Sequence, residues 1–165
     1  MSGTVGGFKK GSGVVGFPSN PAQPYFRVKA DGQANMAINA TVVLTGAVEV
    51  NVGGLWTSDD LLLAPVTGRY LMQCTAVLQN VDQNATAAGV HLETNGTPAP
   101  SADYHTQTWQ RMSQYSGDPN LTWFTSHVVD LPAGAYARWY WHETVSSGTQ
   151  SDLHADTYFT GCLLA

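Results

Sequence analysis

Charge is scarce in this chain: of 165 residues only 12% are Asp, Glu, Lys or Arg, about half the share usual in soluble domains. So few charges weaken long-range steering of charged partners. A net charge of -5 with a pI near 5.3 argues against a nucleic-acid footprint. Long apolar runs are missing too. The longest, residues 61–66, is far too short to cross a bilayer, and Met1-Ser2-Gly3 opens no apolar signal region. The expectation is a soluble, unsecreted protein with no membrane insertion. Cysteine is limited to Cys74 and Cys162, too few for a disulfide framework and outside any Cys-x-x-Cys spacing. Both lie in apolar strand-like runs, which fits small buried thiols kept reduced, with a bridge between neighbouring strands as the alternative. Without a secretory signal, the sequons at Asn39, Asn84, Asn95 and Asn120 read as by-products of an Asn- and Thr-rich composition.

What fills the gap is Gly, Ser, Thr, Asn and Gln beside a 43% hydrophobic content, in a chain long enough for one core. Residues 1–24 stand apart, with six glycines, three prolines, two lysines and apolar residues scattered singly. They read as an arm whose Phe8, Val14, Val15 and Phe17 are anchors and whose Lys9-Lys10 pair suits an acidic surface. From residue 25 onward, short runs of β-branched and aromatic residues alternate with Gly, Asn, Asp and Pro, and no window sustains a helical period. Strands are expected at 26–30, 40–44, 48–51, 61–63, 68–78, 88–94, weakly at 104–111, then at 121–130, 135–142 and 156–164. About ten strands at this spacing predict an all-β sandwich, jelly roll or barrel over residues 25–165.

Parity within two of these strands carries further information. Along 68–78, Tyr70, Met72, Cys74, Ala76 and Leu78 share one face while Leu71, Gln73, Thr75 and Val77 share the other. Along the last strand, Tyr158, Thr160, Cys162 and Leu164 oppose Phe159, Gly161, Leu163 and Ala165. Both faces of both strands are largely apolar. Strands of that kind in a two-layer domain need a second cover, and a further copy of the chain is the simplest one.

Four segments in order bear a family resemblance. They are Val50-Asn51-Val52-Gly53-Gly54-Leu55-Trp56 leading to Leu61-Leu62-Leu63-Ala64-Pro65-Val66-Thr67-Gly68-Arg69-Tyr70-Leu71; Gly89-Val90-His91-Leu92-Glu93-Thr94-Asn95-Gly96; Val128-Val129-Asp130-Leu131-Pro132-Ala133-Gly134-Ala135-Tyr136-Ala137-Arg138-Trp139; and Phe159-Thr160-Gly161-Cys162-Leu163-Leu164. Together they resemble the globular head of complement first component, subunit q (the C-one-q fold), and its relative, the tumour necrosis factor jelly roll. The resemblance spans most of residues 25–165. It implies a ten-stranded jelly-roll sandwich assembled as a homotrimer about a threefold axis, through one face of the sheet that holds the last strand. The expected interface set is Leu71, Gln73, Thr75 and Val77 with Phe159 and Leu163. Ala135 stands where the family usually has Asp, Ala165 where it has Tyr, and the sequence carries no collagen Gly-X-Y run, so complement function is not implied.

Leads to chemistry are few. Gly11-Ser12-Gly13-Val14-Val15-Gly16 matches a dinucleotide fingerprint, with Asp31 at a plausible distance, but Pro18 and Pro21 follow where a helix must open. Asp152, His154 and Asp156 alternate and are the one weak metal-ligand candidate. His91, His105, His127 and His142 are dispersed over separate strands without ligand spacing. There is no Gly-x-Ser-x-Gly elbow, and the acids are sparse and loop-borne. Trp109, Trp123, Trp139, Trp141, Tyr104, Tyr115 and Tyr136 offer a sugar-binding surface in principle, although packing is the commoner use of such residues. No cofactor or catalytic residue is expected.

The functional expectation is a non-enzymatic virion structural protein, since stand-alone versions of this fold resemble bacteriophage virion components. In the first form it is a trimeric capsid decoration (cement) protein, assembled in the host cytoplasm and held by its arm on the major capsid protein or another virion protein. In the alternative it is a fibre or tail receptor-binding knob whose loops at residues 80–86 and 97–116 bind a host-surface glycan or protein.

Overall fold

A computed structural model describes residues 23–57, 60–82, 85, 87–95, 103–107, 120–145, 148 and 150–164. Within them all regular structure is strand: β1 Tyr25–Ala30, β2 Thr41–Val43, β3 Gly46–Val52, β4 Leu62–Leu63, β5 Gly68–Gln79, β6 Ala87–Asn95, β7 Asp103–Gln107, β8 Leu121–Leu131, β9 Tyr136–Thr144, β10 Asp152–Leu153 and β11 Tyr158–Leu163. All pairings are antiparallel, in two sheets. One sheet runs β8-β5-β11-β1-β3, with β10 pairing the far end of β5; the other runs β2-β9-β6-β7, with β4 on β9. Last strand beside first, and neighbours far apart in sequence, make this a jelly roll rather than a meander.

The alternation that marks the strands also builds the core. β5 buries every second residue from Tyr70 to Leu78, and β9 buries Ala137, Trp139, Trp141 and Glu143. The two inner faces meet around aromatic rings. Trp56 lies between Phe26, 5.0 Å away, and Phe159, 6.2 Å away and stacked, while Trp123 meets Trp141 edge-on at 6.2 Å. Turn chemistry sets the ends. Pro132-Ala133-Gly134 closes the β8–β9 turn with Gly134 at φ 83°, where a side chain would be strained, and Ala135 N donates to Pro132 O at 3.0 Å.

Two sequence expectations are corrected here. No strand is expected between 142 and 156, but Asp152 and Leu153 pair with Gln79 and Leu78, and His154 N donates to Val77 O at 2.8 Å. Only the distant partner makes that dipeptide a strand. The arm was bounded at residue 24, yet Pro24 is buried, its carbonyl accepts from Leu163 N at 3.0 Å, and Gln23 Nε2 donates to Leu163 O at 2.6 Å. Residues 23 and 24 therefore belong to the domain and fasten its first strand to its last.

Candidate assembly face

Register across the first sheet fixes which side chains share its outer surface. Leu71 opposes Val128 on β8 and Cys162 on β11; Cys162 opposes Tyr25 on β1; Tyr25 opposes Val52 on β3. These five form one transverse row across five strands. The next row is Ser126, Gln73, Thr160, Arg27 and Val50; the one after joins Phe124, Thr75, Tyr158 and Lys29. Phe124 is 61% exposed and Val128 56%, with Tyr25, Val50 and Val52 between 36% and 38%. Large apolar side chains aligned across a whole sheet are not the usual scatter of single surface hydrophobics. Charge is sparse, and both arginines of the face are paired: Arg27 Nε lies 3.0 Å from Glu49 Oε2 and its guanidinium 4.5 Å above the Tyr158 ring, and at the β5–β8 end Arg69 Nε lies 3.1 Å from Asp130 Oδ1; Lys29 adds one further cation in the third row.

Of the six residues expected at the interface, four share this outer face and two do not. Leu71, Gln73, Thr75 and Val77 do lie on this outer face, half-buried. Phe159 does not: it is fully buried, paired with Cys74 and stacked on Trp56, and Leu163 packs against the core. The outward residues of β11 are instead Tyr158, Thr160 and Cys162. The reason is steric. Gly161 shares the inner face because the Phe26 ring occupies the space above it, so the bulky inner residue of β11 has to be Phe159. The same parity separates the cysteines. Cys74 points into the core and Cys162 away from it; both are free thiols, each pushed up in pKa by burial.

Phe124, Val128, Tyr25, Val50 and Val52 were not singled out from the sequence. A signal existed in β8, where Phe124 and Val128 break an alternation otherwise set by the buried Leu121, Trp123, Thr125, Val129 and Leu131.

The other candidates dissolve on the same geometry. Asp152 ties loops together, accepting from Asn35 N at 2.6 Å and Asn80 Nδ2 at 2.7 Å, while His154 Nδ1 faces Asp156 Oδ2 at 3.4 Å. Among the described residues no three His, Cys, Asp or Glu side chains converge as a metal site. Trp139 and Trp141 are fully buried and Trp123 nearly so, which removes them from any sugar-binding surface; Trp109, Tyr115 and the side chain of Tyr104 lie outside the described residues. The sequon residue Asn39 is a structural clamp, its side chain exchanging hydrogen bonds with Val145 N and O at 3.0 and 2.7 Å. The arm anchors Phe8, Lys9, Lys10, Val14, Val15 and Phe17, the glycine motif, and most of the loops at 80–86 and 97–116 also fall outside the described residues.

Two of the buried titratable side chains, Glu143 and His91, have defined surroundings. At the end of the sandwich away from the chain terminus, Glu143 Oε1 accepts from Asp82 N at 3.1 Å and Oε2 from Ser151 Oγ at 2.6 Å. Burial holds the Glu143 carboxyl above its ordinary pKa. On the outer side of β6 and β9, His91 stacks on Tyr140 at 5.4 Å, and burial, with the nearby His142 adding to it, lowers its pKa to about 4. Both arrangements hold elements together; neither places a nucleophile beside a base.

No family model and no curated protein matches the sequence. Solved structures do. The chain is similar to murine APRIL (TM-score 0.64, 12% identity, 86% of this chain and 98% of that one) and to Eiger TNF from S. frugiperda (0.64, 15%, 87% and 94%). It is also similar to the globular domain of zebrafish complement 1qA protein (0.59, 10%, 87% and 98%). At these identities the shared property is the fold: an all-β jelly roll of the tumour necrosis factor and C-one-q kind.

Proposed function

We propose that this chain is a non-enzymatic assembly module that forms a homotrimer through the outer face of the β8-β5-β11-β1-β3 sheet and decorates a virion capsid through its N-terminal segment. The observation that carries the trimer is the apolar row Val128, Leu71, Cys162, Tyr25 and Val52, with Phe124 two rows further along the same face, which is half-exposed in a single copy. Covering such a face removes apolar area from water at ~25 cal/mol per Å², and a threefold arrangement closes without leaving a free copy of the surface. Low charge favours this mode of association, because few ions need desolvation.

Attachment is assigned to residues 1–22, with Phe8, Val14, Val15 and Phe17 as apolar contacts and Lys9 and Lys10 meeting an acidic capsid or neighbouring virion protein. What supports it is composition: every Asp and Glu of the chain lies beyond residue 24, so the N-terminal segment is purely basic. Deleting residues 2–20 should leave a trimer by sedimentation that no longer binds particles. Retained binding overturns the attachment reading. A copy number in the hundreds per particle, measured by quantitative mass spectrometry, is the expected stoichiometry for decoration.

A receptor-binding knob is the second reading. It draws support from the stitching of the end away from the terminus, where Asn39, Glu143 and Asp152 lock residues 31–40, 80–82 and 150–152 into one surface. A purified trimer that binds host cells or glycans, with binding lost on exchange of residues 80–86, would favour it over decoration.

A further inference from the structure

We infer that the open edge of β3 is a strand-docking site and that its occupant is the chain's own segment 13–17, Gly-Val-Val-Gly-Phe. Edge strands present a row of backbone donors and acceptors to any extended chain, and folded proteins blunt them with Pro, Lys, short length or a cover. β3 has almost none of these. It is seven residues long, contains neither Pro nor Lys, and every residue from Ala47 to Val52 is exposed. Among the described residues it pairs with β1 alone. Its one irregularity is the register shift between Arg27 and Val28, and its one charge, Glu49, is held by Arg27. Val50 and Val52 on the outer face, and Val48 on the inner side beyond the register shift, supply apolar positions for a docked strand to pack on, with backbone pairing giving affinity and alternate side chains giving register.

The choice of occupant follows from where the described chain starts. Tyr25 pairs with Val52, and Pro24 sits against Gly53, in reach of a side chain placed there (3.3 Å to Pro24 Cβ). The preceding residues therefore leave the domain at the very end of β3. Crossing from β1 to the far side of β3 spans two strand spacings, ~10 Å; residues 18–22 reach ~17 Å when extended. Having crossed, residues 13–17 lie along β3 and parallel to it. Val14, Val15 and Phe17 are the apolar side chains to pack there, and Pro18 stands just after the segment, where its missing N–H interrupts no pairing. The inference departs from the attachment reading at Val14, Val15 and Phe17, which it packs on β3 in the free protein instead of on a particle; Phe8, Lys9 and Lys10 stay beyond the docked stretch and remain for attachment.

Hydrogen exchange on the full-length protein tests this against Val14→Asp/Val15→Asp. The expected result is β3 amides exchanging about tenfold faster in the variant while β5 amides are unchanged. Equal β3 exchange in both proteins overturns the inference. A second measurement fixes the copy. In a Cys162→Ser background, Val15→Cys is combined with Val50→Cys or Val52→Cys and oxidised. One of the pairs should form a disulfide within a single chain; a bridge joining two chains, or none from either pair, overturns the assignment to the chain's own segment.

Discussion

Phe124→Ala separates folding from assembly more cleanly than any other substitution on the outer face. The side chain is 61% exposed in one copy and sits opposite Thr75, away from the core. Truncation should therefore change the stability of an isolated domain little. In the trimer the exposed part of the ring becomes covered. Fully burying a Phe is worth ~1.5–3 kcal/mol, so its uncovered share contributes about 1–2 kcal/mol per subunit and about 3–5 kcal/mol over three copies. At 1.4 kcal/mol per factor of ten, the trimer's dissociation constant should rise by roughly 10²–10⁴. Sedimentation velocity over a dilution series reads that shift directly, and labelling of the Cys162 thiol gives an independent signal, because Cys162 lies on the same outer face, two rows away. The expected variant dissociates at a much higher concentration than wild type and its Cys162 labels faster, with unchanged near-ultraviolet dichroism. A variant whose association matches wild type would refute the assignment of this face, and a wild type that is monomeric at every concentration would refute the trimer.

Two further perturbations probe the core and the buried polar groups. Gly161→Ala places a methyl group in the Phe26 ring and 2.9 Å from Met72 Sδ; overpacking of this kind costs about 1–3 kcal/mol, to be seen as a lower urea midpoint, and an unchanged or higher midpoint would show that the inner face has room the geometry denies. Below pH 6.5, His91 should make the fold acid-sensitive: the unfolded chain takes up a proton near pH 6.5 while His91 stays neutral down to about pH 4, so stability is full above pH 6.5 and falls by up to about 3 kcal/mol as the pH drops to 4. Glu143 acts with the opposite sign, since its raised pKa means that protonation relieves a buried charge as the pH falls. Urea unfolding of wild type and His91→Gln across pH 4–7 isolates the histidine: the two curves should diverge below pH 6.5, and parallel curves would contradict the role given to His91.

Much of the fold was legible because period-two patterning and turn residues act locally. β5, β6, β8 and β9 lie within a residue or two of where alternation places them. The four-segment resemblance then ordered them into a jelly roll, which the solved neighbours share. What escaped was set by contacts between distant residues. Asp152 and Leu153 carry no strand signature; they become β10 because Leu78 and Gln79 lie beside them. The inner side of β11 could not be chosen from its own letters, because Tyr158, Thr160 and Cys162 read as well inward as Phe159, Gly161 and Leu163 do. Phe26, 135 residues away in the chain, decides it by filling the space over Gly161.

That ambiguity has the same physical origin as the assembly face. A strand with one polar side declares its orientation, since a one-residue slip would bury the polar set. In the proposed trimer β11 and β5 forgo that signal because both their sides are covered, one by the core and the other by a neighbouring copy. Orientation must then come from shape. Gly161 beneath the Phe26 ring and Phe159 stacked on Trp56 admit only one way round. The steric lock that Gly161→Ala attacks is therefore also what presents Tyr158, Thr160 and Cys162 outward in line with Thr75, Gln73 and Leu71. Damage to that lock should weaken the trimer even though Gly161 touches no outer-face residue's row from outside, whereas Phe124→Ala should weaken the trimer and leave the lock intact.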